Sequence, residues 1–184
     1  MKRLGLLLSW LLALGCGARP SGPAPGQTYF WQVLNSEVGF GTCSDDALFR
    51  AQLMPLKFEP NTFVTYKVEP DGKTAVSQTC ARVDPSTCKP SETKIVFTVA
   101  NPELIFSSQS KTAFGTGGCQ LLDTTTWTLT DKNPIGTLEI AHVFSLVDNP
   151  TECARAEAQF KQQSPNMLGL EGCVVTFKVG LSLE

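Results

Sequence analysis

The sequence contains one histidine and seven cysteines, the residue types best suited to act as a base, a nucleophile or a metal ligand. His142 lies in the stretch "TLEIAHVFSLV", where alternation puts it on one apolar face with Ile140 and Phe144. Its neighbour Glu139 falls on the opposite face and is no ready partner. We therefore predict a core histidine whose ring nitrogens are satisfied by backbone or hydroxyl groups, not a catalytic base or a metal ligand.

Other patterns that suggest chemistry are better explained as structural features. The glycine-rich "FGTGGCQ" lacks the spacing of a P-loop or a dinucleotide fingerprint, and it precedes a predicted strand, so we expect a turn beside a disulfide. Asp45 and Asp46 are adjacent acids of the kind that cap a helix or lie in water. There is no Gly-x-Ser-x-Gly elbow. We expect no enzyme activity, no metal and no cofactor.

The first fifteen residues have the pattern of an export signal. Lys2 and Arg3 form a positive start, and Leu4 to Leu14 form an uncharged apolar stretch. As a helix this stretch would span about 16 Å, roughly half of the hydrocarbon core of a bilayer. It is too short to cross a membrane, and it fits the apolar region of a secretory signal peptide over residues 1–15.

The residues "ALGC" that follow resemble the lipobox of bacterial lipoproteins, in which Gly or Ala precedes a cysteine that is diacylated before cleavage. Gly15 and Cys16 match the family, whereas Ala13 and Leu14 depart from its usual large aliphatic and small residues. The alternative is an ordinary signal-peptidase site that releases a soluble chain. An odd number of cysteines favours lipidation of Cys16. The resemblance implies palmitate at this membrane anchor and, with Gly17 where inner-membrane members carry aspartate, an outer-membrane location.

The mature chain is predicted to have two parts, a lipidated cysteine with a tether at 16–27 and a single β domain at 28–184. The tether "GARPSGPAPGQ" is rich in proline and glycine, so we expect it to stay unpacked and to reach roughly 35 Å. Loss of Lys2 and Arg3 from the fifteen basic residues, against seventeen acidic ones, gives a formal charge of −4. No basic run is present, which argues against a nucleic-acid partner.

The remaining six cysteines form an even set, which in an exported chain predicts three disulfides. A zinc site is disfavoured because the sequence has no CxxC pair and one histidine. Six cysteines allow fifteen pairings, so the connectivity is a hypothesis. The short loop between two of them, the predicted helix position of a third and elimination suggest these pairs: Cys80–Cys88, Cys153–Cys173 and Cys43–Cys119.

Period-two alternation dominates the domain and predicts eight or nine antiparallel strands in a barrel or a two-layer sandwich. Asp71-Gly72 predicts a tight hairpin. Asn149 to Pro165 carries helix signals at both ends, which places one helix before the final strand. This order resembles the lipocalins, and Trp31 in "TYFWQ" matches their first-strand tryptophan without its glycine. A helical turn or a short strand is expected after Ser44.

Six aromatic residues are predicted to point inward, where they would fill a solid core or line an apolar cavity. They are Trp31, Tyr66, Phe97, Phe106, Trp127 and Phe177. We favour the filled core, and we expect a non-catalytic, envelope-anchored lipoprotein with a binding or structural role. Its partners would be the membrane and another envelope protein. The alternative is a carrier of lipid or another small hydrophobic ligand inside the barrel.

Overall fold

The structure, a computed structural model, describes residues 22–43, 58–163 and 169–184. In these ranges the chain forms nine β-strands and one α-helix, together with a short 3₁₀ turn at Pro85–Thr87. The elements are β1 (Thr28–Gly39), β2 (Phe63–Val68), β3 (Thr74–Cys80), β4 (Cys88–Pro90), β5 (Val96–Ala100), β6 (Glu103–Ala113), β7 (Cys119–Lys132), β8 (Ile135–Asp148), α1 (Pro150–Gln163) and β9 (Val174–Leu183). The segment after Ser44 lies outside the described residues.

Eight of these strands close into an antiparallel barrel, so the barrel prediction is confirmed over the sandwich. Apart from β4, each strand pairs with the next strand along the chain, so that β3 pairs with β5, and β9 returns to β1. The short β4 pairs with β3 alone and adds an outer edge. Closure gives the sheet one enclosed face, and each strand of the ring has a paired neighbour on both sides over part of its length.

The barrel has two distinct ends. The N-terminal end carries the start of β1 and the turns at 69–73, 101–102 and 133–134, and the helix end carries α1. At the first of these turns Gly72 has φ 66°, a conformation that favours glycine, and the carboxylate of Asp71 accepts a 2.9 Å hydrogen bond from the backbone N–H of Lys73. The predicted hairpin is confirmed.

The interior is solid towards the N-terminal end. Trp31, Tyr66, Leu129, Leu138 and Leu181 are fully buried there, and each such side chain contributes on the order of 1.5–3 kcal/mol by leaving water. Nε1 of Trp31 donates a 3.2 Å hydrogen bond to the hydroxyl of Tyr66. This bond gives the buried indole N–H of Trp31 an acceptor, as burial of a polar group requires.

Residues 22–27 lie along the N-terminal end of the barrel. The backbone N–H of Gly26 donates to the carbonyl of Val68 at 3.0 Å, and the N–H of Val68 donates to the carbonyl of Gln27 at 2.9 Å. Pro23 is buried. The prediction of an unpacked tether is therefore wrong for this segment, because Gly26 and Gln27 pair with Val68 at the end of β2 and the backbone N–H of Ala24 donates to the hydroxyl of Tyr29. Cys16 and the rest of the tether lie outside the described residues.

The helix before the final strand is confirmed. Pro150 occupies its first position, and the side chain of Asn149 accepts a 3.3 Å hydrogen bond from the backbone N–H of Glu152, as in an N-cap. Cys153 and Ala156 are its buried residues. The predicted stop at Pro165 lies beyond the described part of α1. Within the described ranges, no helix has both the length and the apolarity needed to cross a membrane.

Three disulfides are present, and the predicted Cys80–Cys88 bridge, which joins β3 to β4, is confirmed. The predicted pairing of Cys153 with Cys173 is wrong. Cys153 is bonded to Cys119 at the start of β7. The register explains this bond, because Cys119 lies opposite Asp148, the last residue of β8, and α1 begins two residues later.

The predicted pairing of Cys43 with Cys119 is also wrong, since Cys43 is bonded to Cys173. Cys43 follows β1 and Cys173 precedes β9. These strands pair as far as Gly39 opposite Thr176, so the residues just beyond them come together. The sequence separation of 130 residues hides a contact that the closure of the barrel creates.

Candidate ligand-binding cleft

A cleft of about 530 Å³ opens on the inner face of β6, β7 and β8, in the half of the barrel nearest the helix end. It exists because β6 has eleven residues and its neighbour β5 has five, so the long strands continue past the closed part of the barrel. The segment before β5, at residues 93–95, forms its opposite rim. The barrel is thus filled at one end and open at the other.

One wall of the cleft is aromatic. Phe106 and Trp127 meet edge to face with ring centroids 6.4 Å apart, and Phe58 contacts Trp127 in the same way at 6.3 Å. Phe106 also contacts the buried Phe97 at 6.2 Å. Each such pair contributes roughly 0.5–1.5 kcal/mol beyond its buried area. These contacts connect the wall to the core and hold its rings in place.

Farther along the same strands, towards the helix end, the lining becomes polar. Ser108, Ser110 and Thr112 occupy inward positions of β6, yet all three are exposed because they face the cleft. Their partners across the sheet are Thr125, Asp123 and Leu121 on β7. Inward positions of a filled barrel would be apolar, so hydroxyl groups here indicate a wet surface. The cleft therefore combines an apolar wall with hydrogen-bonding groups.

The buried His142 and the partly buried Asp123 form a polar pair in this cleft. Nδ1 of His142 lies 2.9 Å and 3.1 Å from the two carboxylate oxygens of Asp123. The hydroxyl of Thr125 lies 3.2 Å from Nδ1 and 3.2 Å from one oxygen of that carboxylate. Because a carboxylate accepts, Nδ1 carries the hydrogen in this arrangement.

The other ring nitrogen, Nε2 of His142, is buried and has no hydrogen-bond partner among the described residues. Its ring is stacked on Phe144 and meets Phe177 edge to face, with centroids 6.0 Å apart in both pairs. Leaving a polar atom unpaired in such surroundings costs about 1–3 kcal/mol. The prediction that both nitrogens are satisfied is thus wrong for Nε2, and Nδ1 is held by a carboxylate as well as a hydroxyl.

Asp123 is a site residue that no motif of the sequence indicates, although the hairpin register contains a signal for it. The turn at residues 133–134 sets the register of the hairpin and places His142 opposite Thr125. Asp123 is two positions along on the same face. Glu139, a neighbour on the same strand, points to the other face, and the partner of His142 lies on the adjacent strand instead.

The glycine-rich stretch is a turn beside a disulfide, as predicted. Gly115, Gly117 and Gly118 all have positive φ, and Cys119 follows them. A Cβ at Gly115 would come within 2.7 Å of the Cβ of Ala156, so glycine lets the turn approach α1 closely. Asp45 and Asp46 lie outside the described residues. Across the described ranges, no three His, Cys, Asp or Glu side chains are grouped to hold a metal ion.

Comparison with protein-family models, with curated proteins and with solved structures finds no match to this chain. The cleft and its residues are therefore the basis for assigning a function.

Proposed function

We propose that this protein is a non-catalytic envelope lipoprotein that binds a small amphipathic molecule in the cleft of its barrel. The cleft is the observation that carries the proposal. Its volume of about 530 Å³ falls within the usual range for small-molecule sites, about 300–1,000 Å³. Of the functions expected from the sequence, a ligand carrier is favoured over a purely structural role, because a structural barrel needs no such opening.

The residues that line the cleft indicate a ligand with an apolar body and a polar group. An apolar body would lie against Phe106 and Trp127, where burial of apolar surface contributes roughly 25 cal/mol per Å². A polar group would face Ser108, Ser110 and the pair of His142 and Asp123. Few polar groups on an otherwise apolar wall are typical of sites that orient a ligand.

Binding is favoured over catalysis because no described nucleophile is hydrogen-bonded to His142. The pair of Asp123 and His142 resembles the base and orienting group of a hydrolase, in which the second ring nitrogen accepts from a serine or cysteine. No described hydroxyl or thiol is hydrogen-bonded to Nε2. All six described cysteines are in disulfides.

The proposed anchor is the acylated Cys16, which two or more acyl chains would hold stably in the outer membrane. Residues 22–27 lie at the N-terminal end of the barrel, and the cleft lies in the other half. Asp131 and Asp123 mark these two positions on β7, eight residues or about 26 Å apart. An intact mass equal to that of the bare peptide from Cys16 would contradict the anchor.

The cleft is tested with a bulky substitution on its wall and a matched one outside it. Ser110→Trp fills the cleft, whereas Gln109→Trp adds the same ring to the exposed outer face of β6. With the neutral probe N-phenyl-1-naphthylamine, we expect a saturable fluorescence rise in the unmodified protein and in Gln109→Trp. Ser110→Trp should weaken binding by about tenfold or more. Equal affinities of the two variants, or no binding by the unmodified protein, would contradict the proposal.

A further inference from the structure

We infer that the ligand of this cleft carries a neutral hydrogen-bond donor, a hydroxyl or N–H group, which it gives to Nε2 of His142. This inference rests on the proposed function and names the class of ligand. Its basis is the combination of a histidine that lines the cleft, a carboxylate that holds one ring nitrogen, and a second ring nitrogen without a partner.

The hydrogen bonds fix what Nε2 can do. Asp123 accepts the hydrogen on Nδ1 through both of its oxygens, so the neutral ring has its lone pair on Nε2. The side chain of His142 is about 10% exposed and is held between Phe144 and Phe177. The atom Nε2 is itself buried and its ring is fixed, so a ligand gains from reaching it only by donating a hydrogen bond.

Charge disfavours an acidic ligand at this depth. An anionic group next to His142 would also lie near the carboxylate of Asp123, and like charges in a partly buried site repel. The cation on the rim, Lys94, belongs to the segment before β5 on the other side of the cleft. A neutral donor forms the missing hydrogen bond without placing a second negative charge beside Asp123.

Three probes with the same ring system separate these possibilities. They are 2-naphthol, which donates a hydrogen bond, 2-methoxynaphthalene, which does not, and 2-naphthoate, which is an anion. By calorimetry at neutral pH on the processed protein, we expect 2-naphthol to bind about tenfold more tightly than either of the others. His142→Phe should remove the difference between the naphthol and the ether, and Glu139→Gln, on the outer face of the same strand, should leave it unchanged.

Nitrogen NMR gives a second measurement that needs no variant. The sequence has one histidine, so both ring signals belong to His142, and their couplings to the ring C–H protons distinguish Nδ1 from Nε2. The Nε2 signal should have the shift of an unprotonated nitrogen, and it should move with 2-naphthol but not with the ether.

The outcomes distinguish this inference from the proposed function. Equal binding of the naphthol and the ether, or tighter binding of the naphthoate, would overturn the inference and leave the proposed function standing. A preference for the naphthol that survives in His142→Phe would overturn it as well. Failure of all three probes to bind would contradict the proposed function itself. If His142→Phe does not fold, the inference is still tested by the affinities of the three probes for the unmodified protein and by the Nε2 signal.

Discussion

Tyr66 shows how strongly the closed half of the barrel constrains a polar side chain. Its phenol is fully buried, and its hydroxyl accepts a hydrogen bond from Trp31. Burial raises the pKa of Tyr66 above its usual value of 10.0, and the nearby Asp131 and Tyr29 add to the rise. The hydrogen bond from Trp31 acts in the opposite direction and lowers this pKa, but burial is the larger effect.

This shift predicts a loss of stability in alkali. In the unfolded chain Tyr66 ionises near pH 10, whereas in the folded barrel it stays protonated, so above that pH the native state binds more protons. The contribution of Tyr66 to the free energy of unfolding is therefore complete below about pH 10 and is lost as the pH rises towards the raised folded value. Urea titrations between pH 8 and 11.5 should show this fall.

Tyr66→Phe should flatten the alkaline fall. At neutral pH this variant should be about 1–3 kcal/mol less stable, because Nε1 of Trp31 loses its acceptor. Phe97→Leu is the matched control, since it perturbs a ring that packs on Tyr66 and leaves the phenol in place. The control should keep the alkaline dependence of the unmodified protein. The same steep fall in Tyr66→Phe would show that other groups cause it.

The residues of the cleft were only partly predictable from the sequence. Alternation puts His142 and Trp127 on inward faces, and the turn of the hairpin brings in Asp123. Neither pattern predicts that Nε2 of His142 lacks a hydrogen-bond partner, because the environment of this atom depends on the rings of Phe144 and Phe177. Alternation along a strand predicts which residues line the cleft. Whether a given atom has a hydrogen-bond partner depends on residues that are distant in the sequence.

At the scale of elements, α1 is joined to the barrel by one disulfide and by a small set of packing contacts, among them that of Phe160 with Phe114. Cys153 and Ala156 are its buried residues, whereas long-range strand pairing holds every strand of the ring. The Cys119–Cys153 disulfide links the helix to the start of β7. We expect the helix to be the first described element to open when this bond is absent.

Replacing Cys119 and Cys153 together with serine tests this expectation. The chain-entropy estimate for a bond with a sequence separation of 34 is a loss of about 4 kcal/mol, and for the separation of 8 between Cys80 and Cys88 it is about 2.5 kcal/mol. Hydrogen exchange in the first variant should become fast across α1, with β6 to β8 still protected. The Cys80→Ser, Cys88→Ser variant is the control and should leave α1 protected. Unchanged protection of α1 in the first variant would mean that packing alone holds it.

The strands and the short-range Cys80–Cys88 disulfide were predictable because their patterns are local. The other two disulfides were not, because strand pairing across the barrel sets their partners. Asp71-Gly72 and Asn149 act within a few residues of themselves, and both predictions are confirmed. Cys43 and Cys173 meet only once β9 has paired with β1. No short-range pattern contains that information.

At the scale of the whole molecule, the barrel separates its two chemically distinct ends. Residues 22–27 pair with β2 at the N-terminal end, and the cleft and all three disulfides lie towards the helix end. A chain anchored through Cys16 would therefore hold the N-terminal end near the bilayer and the cleft away from it. The ligand would then enter from the aqueous side, not from the leaflet that holds the anchor.

This orientation predicts unequal distances from the membrane. With the acylated protein in vesicles, a fluorophore incorporated at Lys73 in the first turn should transfer energy to a headgroup acceptor much more efficiently than one at Gln109 on β6. Both positions are exposed, so neither label disturbs the core. Asp131 and Asp123, at corresponding heights on β7, are about 26 Å apart along the strand, enough to separate the two efficiencies. A Cys16→Ser chain should show no transfer from either position, because it lacks the anchor. Equal transfer from both labels in the acylated protein would place the barrel on its side, and the cleft would then be open to the bilayer surface.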